Sequence, residues 1–210
     1  MLQLTLKIVS FGIQLFHLPN LFIISGYNGA GKTTASFTIF PEILKCKEFV
    51  NADEIAKGIS PFQPETVAFQ AARIMLKRIE ELLISEVDFA IETTLTTLSY
   101  INTIKFAKLK GYTIKLIYLW LENVDLAIER VKIRVSEGGH SIPEPVIIRR
   151  YFRGIKNLND RFISLCDYWI VIDNSKRPFN FVAEGFGDKQ IKIHNVQVWE
   201  IINKLSNEVQ

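Results

Sequence analysis

Cysteine is scarce in this chain. Its 210 residues include two, Cys46 and Cys166, with no Cys-x-x-Cys spacing and no histidine beside either. Both read as reduced, buried structural thiols, and a chain of this length can bury a core without disulfide help. Histidine is nearly as rare. His17, His140 and His194 lie far apart in sequence with no cysteine partner, which argues against a histidine metal cluster. Long apolar runs are missing too. The longest apolar stretch, MLQLTLKIVSFGIQLFH at residues 1–17, is too short to span a bilayer. It also lacks the basic start and small-residue cleavage site of a signal peptide. It reads as an appendage, or as an upstream misreading of the true start, with one domain from about Leu18 to Gln210. No membrane contact is expected, and the chain reads as cytoplasmic. A net charge of +3 does not by itself call for nucleic acid. Internal repeats, low-complexity tracts and Pro/Ser linkers are absent. With 48% hydrophobic and 22% charged residues, the composition is that of a globular domain.

What the chain does have is GYNGAGKT at residues 26–33, a complete G-x-x-x-x-G-K-T phosphate loop. Gly26, Gly29 and Gly31 allow a tight turn that aims backbone N–H groups at a polyphosphate. Tyr27, Asn28, Ala30 and Thr34 complete the stretch expected to touch the nucleotide. Lys32 brings positive charge to the β and γ phosphates. Thr33 offers a hydroxyl to Mg²⁺ and opens a helix, whose N-terminus favours anions. The apolar run Leu21–Ile24 reads as a buried strand feeding the loop, and Thr33–Phe40 as a helix ending before Pro41. Strand, loop and helix together imply a nucleoside triphosphate with Mg²⁺, and the loop alone does not name the reaction.

Further along, strands alternate with helices. Glu48–Ala52, Phe89–Glu92, Thr113–Leu121 and Tyr168–Ile172 read as strands. A long amphipathic helix is expected over Glu65–Ser85, with Val67, Ala71, Ile74, Leu76, Ile79, Leu82 and Leu83 near helical spacing. Others are expected at Tyr100–Leu109, stopped by Gly111, from Asn123 to about Val135, and over Pro143–Leu165. Two strands joined through GFGDK and a last helix, Val196–Leu205, close the chain. The class is α/β: a parallel sheet of the P-loop NTPase type with helices on both faces, a helical lid at about residues 134–165, and a small C-terminal β-hairpin plus helix. Ligands in such sheets sit beyond the C-terminal strand ends. The phosphate loop, Asp53 and Glu92 all fall there.

Asp53, in VNADE, reads as a general base for an acceptor hydroxyl or a carboxylate holding Mg²⁺ through its water, or else as the N-cap of a short helix at Glu54–Lys57. Glu92, in IETTL, reads as a carboxylate orienting Mg²⁺ through water or holding substrate, or else as a surface turn; Thr93 beside it adds a hydroxyl. No strand ends in aspartate beside the loop as in a standard Walker B. Arg130–Arg161 holds eight basic residues against three acidic ones. A helical wheel from Pro143 puts Arg149, Arg150, Arg153, Lys156 and Asn157 on one face, opposite Ile147, Ile148, Tyr151, Ile155, Leu158 and Phe162. That stripe is either a solvated face or a lid that brings arginine to a transferring phosphoryl group, with Gly138 and Gly139 as hinge. His140 is a loop residue within reach of substrate.

GYNGAGKTT, NADEIA, IETTL and GGHSIPEPVIIRRYFRGIKNL, in this order and spacing, resemble the zeta-toxin-like family of small P-loop kinases, and more closely its bacterial subgroup often labelled "predicted ATPase". The resemblance covers about Leu18 to Asn174, and the GGH…IPE…RR block is its specific part. It implies ATP and Mg²⁺ at Lys32 and Thr33, with Glu92 contacting substrate or metal-bound water. It implies Asp53 as catalytic base and lid arginines Arg134, Arg149 and Arg153 as phosphate clamps. The acceptor is then a hydroxyl of a small molecule, a UDP-N-acetyl-sugar in the best-known zeta toxins, and an antitoxin-like protein is the implied partner. The GGH…IPE block differs from that of the sugar-phosphorylating toxins. Two alternatives stand beside this kinase: an NTP-driven switch acting through partners, and a polynucleotide kinase. No LSGGQ-like signature points to a transporter ATPase, and no aromatics interleave with the basic stripe as nucleic-acid binding would favour.

Overall fold

The computed structural model describes residues 18–208 except Ile39, His140 and Lys189. The expectations for residues 1–17 and for His140 therefore lie outside the described residues. Seven strands form one sheet in the order β2-β3-β1-β4-β5-β6-β7. The first five are parallel: β1 Asn20–Ser25, β2 Glu48–Val50, β3 Phe89–Thr93, β4 Thr113–Trp120 and β5 Tyr168–Asp173. All six residues of β1 are buried between β3 and β4, as an apolar strand covered on both faces should be. Its register sets Ile24 beside Glu92 and Ser25 beside Thr93, so the strand feeding the loop and the strand carrying Glu92 end together.

The expected C-terminal hairpin is present as β6 Asn180–Phe186 and β7 Gln190–Ile193. It is no separate appendage: β6 pairs antiparallel with β5 and extends the main sheet. A closing helix lies over it, with Trp199 stacked on Trp169 of β5 at a ring separation of 5.6 Å.

Eight α-helices lie among the described residues: α1 Lys32–Thr38, α2 Phe40–Leu44, α3 Ala52–Ile59, α4 Ala68–Ser85, α5 Ser99–Leu109, α6 Val124–Ser136, α7 Glu144–Asn157 and α8 Val196–Glu208. The first helix ends at Thr38, before Pro41 as expected. Pro41 occupies the first turn of α2, where a missing N–H is tolerated. The expected Glu65–Ser85 helix opens with a 3₁₀ turn, Pro64–Val67, before α4. In α4 Ala71, Met75, Ile79, Leu82 and Leu83 face the core, whereas Ile74 and Leu76 fall to either side of that stripe and are exposed. The Pro143–Leu165 helix is α7 followed by a π turn, Leu158–Phe162, and a 3₁₀ turn, Ile163–Leu165. Asn157, expected on the polar stripe, is buried and donates to Leu95 O at 2.6 Å; Ile148, expected inside, is exposed.

Cys46 and Cys166 are free and buried, and burial pushes their thiols up to about 11 and about 12. Thiols so shifted carry little thiolate and are inert. Among the described residues no helix is long and apolar enough to cross a membrane.

Candidate active site

The phosphate loop links β1 to α1 and is held from three sides. Gly29 and Gly31 adopt φ of +81° and +86°, which side chains resist. A Cβ on Gly29 would also lie 2.6 Å from Ala127 O of α6. Asn174, just past β5, donates to Ala30 O at 2.8 Å. Tyr27 anchors the loop from below. Its ring is fully buried, 4.3 Å from that of Tyr151 on α7, and its hydroxyl donates to Leu121 O at 2.7 Å and accepts from Leu121 N–H. The expectation that Tyr27 contacts nucleotide is corrected to this extent: its side chain is committed to the β4 end, and only its backbone faces the loop interior.

Lys32 and Glu92 meet under the loop. Lys32 Nζ lies 3.7 Å from Glu92 Oε1 and donates to Tyr27 O at 3.2 Å. Thr33 Oγ1 lies 3.1 Å from each Glu92 oxygen, and Asn51 Nδ2 donates to Glu92 Oε2 at 2.8 Å. Burial lowers the Lys32 ammonium from its ordinary value, with Glu92 pulling the other way; burial likewise raises the Glu92 carboxyl against the pull of Lys32. Burial thus opposes both charges, and each is favoured by the other. The surface-turn reading of Glu92 is excluded by this placement.

Asn51 was not legible as a site residue. It caps α3, its Oδ1 accepting from Asp53 N–H at 2.8 Å, while its amide holds Glu92. Asp53 is therefore not the cap. It sits in the first turn, two residues past the cap, exposed, with its side chain free of any capping duty. Thr93 is buried and its hydroxyl accepts from Leu95 N–H at 3.1 Å, so the substrate contact expected of it gives way to a turn-stabilising bond.

Two cavities open around these groups. The first, about 360 Å³, is lined by Asn28, Lys32, Glu92, Arg130 and Arg177 together with the apolar side chains of Leu119, Ile133, Ile172 and Phe179. The second, about 400 Å³, lies between α1 and α3 and is walled by Phe37, Glu54, Lys57 and Glu65. Thr33, Thr34, Asp53 and Arg134 line both.

The lid arginines divide unexpectedly. Arg134, in the last turn of α6, stands where the cavities meet. Arg149 and Arg153 are exposed and line neither cavity. Arg150 is the one turned toward the loop, donating to Asn28 Oδ1 at 3.0 Å. The cause is the docking face of α7: Ile147, Tyr151 and Ile155 enter the core, and Arg150 flanks them on the loop side while Arg149 and Arg153 point away. Arg130, one turn before Arg134, donates to Ser175 O at 2.9 Å on the cavity wall. Its i, i+4 spacing to Arg134 was the available signal; Arg177 and Asn174 had none, because only β5 brings them to the loop.

The zeta toxin family profile matches residues 14–177 of this chain. An uncharacterized protein of Haemophilus influenzae is 30% identical over 126 residues, 60% of this chain and 88% of that one. Among solved structures, the AvrRxo1-ORF1:AvrRxo1-ORF2 complex with sulphate ions superposes with a TM-score of 0.72 at 21% identity, over 100% of this chain and 70% of that one. The same complex with ATP gives 0.70 at 21%, over 100% and 69%. The PezAT toxin–antitoxin system of Streptococcus pneumoniae gives 0.62 at 16%, over 99% and 93%. At these identities the structural likeness is one of fold. With the family profile covering most of its length, the chain belongs to the zeta toxin family.

Proposed function

We propose that this protein is an ATP-dependent phosphotransferase that moves the γ phosphate to a hydroxyl of a small molecule. The observation that carries the proposal is the meeting of two cavities at Thr33, Thr34, Asp53 and Arg134. A donor in one and an acceptor in the other would face each other across one carboxylate and one guanidinium. The first cavity suits the nucleotide: the loop N–H groups and Lys32 take the phosphates, and apolar lining residues such as Ile133, Ile172 and Phe179 take the base. A fold-related structure with ATP supports nucleotide binding as such.

In this reading Asp53 accepts the proton from the acceptor hydroxyl as it attacks, and Lys32, Arg134 and Arg150 hold charge that spreads over the transferring group. The Thr33 hydroxyl and the Glu92 carboxylate are oxygen donors of the kind a small hard cation takes, with no cluster of three His, Cys, Asp or Glu among the described residues to suggest another metal. Bound there, Mg²⁺ would neutralise phosphate charge. An antitoxin-like protein partner belongs to the same reading, since the PezAT structure is of a toxin–antitoxin system.

Transfer of label from γ-labelled ATP to a panel of hydroxyl metabolites, UDP-N-acetyl-sugars included, tests the proposal. Label in an organic product is expected; label in inorganic phosphate alone counts against it. Once an acceptor is found, the arginines separate. Arg150→Ala should lower kcat by about 10²–10³, the loss typical of one transition-state donor, with nucleotide Kd little changed. Arg149→Ala and Arg153→Ala should change kcat by less than about threefold, as for a solvated face. Equal losses at all three would return the stripe to the catalytic role first expected of it.

A further inference from the structure

We infer that Gly139 is a positioning residue for Arg134. The inference rests on the reading of Arg134 as a group that serves the transferring phosphate. The two glycines of the GGH stretch do different jobs. Gly138 N–H bonds to Val135 O at 3.0 Å and Gly139 N–H to Arg134 O at 2.8 Å, the paired bonds of a Schellman closure on α6. In that closure Gly138 takes the left-handed position, φ +87°, and a Cβ there would meet nothing within 4 Å. Gly138 is thus glycine for its backbone angle.

Gly139 is not in the left-handed region, so its backbone does not demand glycine. Space does. A Cβ at 139 would lie 2.7 Å from Arg134 Cγ and 2.7 Å from Arg134 O. Both atoms belong to one residue, Arg134, which lines both cavities. The stem of Arg134 therefore runs against the bare face of Gly139, and any side chain at 139 would push that stem and its carbonyl aside. The glycine pair expected to act as a hinge is, in this account, a cap and a spacer.

The test compares the full-length protein with Gly139→Ala, Arg134→Ala, the double variant and Gly138→Asn. The readout is affinity for ADP with Mg²⁺ and aluminium fluoride, which mimic the transferring phosphoryl group, against affinity for ADP with Mg²⁺ alone. Gly139→Ala should weaken the fluoride complex by about 10–100-fold, ADP alone by less than about threefold, and the double variant should be no weaker than Arg134→Ala. Gly138→Asn, which tolerates the left-handed angle, should match wild type. Thermal melts add a second reading: Gly139→Ala should lower Tm less when residue 134 is already alanine, because one of the two atoms it meets is gone. Losses that add in the double variant, or a Gly139→Ala protein with wild-type fluoride affinity, overturn the inference and leave the kinase reading standing. If Arg134→Ala itself leaves fluoride affinity unchanged, the assigned role of Arg134 fails and the inference falls with it.

Discussion

Lys32→Ala should abolish phosphoryl transfer while leaving the fold intact. The side chain is 8% exposed and reaches under the loop, where its ammonium sits between Tyr27 O and Glu92. A triphosphate entering the first cavity meets this charge in surroundings that screen it weakly, so its removal costs far more than a surface charge would. The stability cost should be small. Burial already disfavours the charged form of both partners, so deleting the lysine removes one desolvated charge as well as one attraction. Glu92 keeps its bonds from Asn51 and Thr33 and can take up a proton. Turnover and thermal melts on the same preparation check the prediction. Wild-type turnover in this variant would mean that the loop is not the active site.

Asp53→Asn should lower turnover by about 10²–10⁴, the range for a lost general base, and keep ATP affinity within a few fold. The structure separates this from a capping defect. Asn51, not Asp53, receives the first-turn N–H of α3, so Asp53→Asn should leave Tm nearly unchanged. Asn51→Ala should instead cost about 1 kcal/mol of stability through the lost cap, and it would also release Glu92. A stable Asp53→Asn protein with normal turnover would remove the base from the mechanism. A protein that unfolds would restore the capping role.

The sheet was legible because its longer parallel strands, β1, β3, β4 and β5, are compact apolar runs followed by punctuation, and because β1 and β3 lead to residues with chemistry: the loop and Glu92. What stayed hidden depends on which face of an element docks. The wheel on α7 separates polar from apolar but does not say which polar edge meets the loop, and so Arg150 was underrated while Arg149 and Arg153 were favoured. Tyr27 occupies a variable position of the loop motif, and nothing local tells that its ring turns down to Leu121, 94 residues on. Asn51 lies beside Asp53 in sequence, but its bond to Glu92 spans 41 residues and needs β2 laid beside β3. The hairpin was visible as two strands, yet its antiparallel pairing with β5 is a contact between elements that no local pattern announces.

The central claim is that Asp53 stands between donor and acceptor. A crystal structure with Mg²⁺ and a non-hydrolysable ATP analogue tests it most directly. The account predicts the triphosphate along residues 29–33, the γ phosphate within hydrogen-bond reach of Lys32 Nζ, and its far side turned toward Asp53 and the second cavity. A triphosphate seated elsewhere, or a γ phosphate facing away from Asp53 with the second cavity closed off, would contradict it.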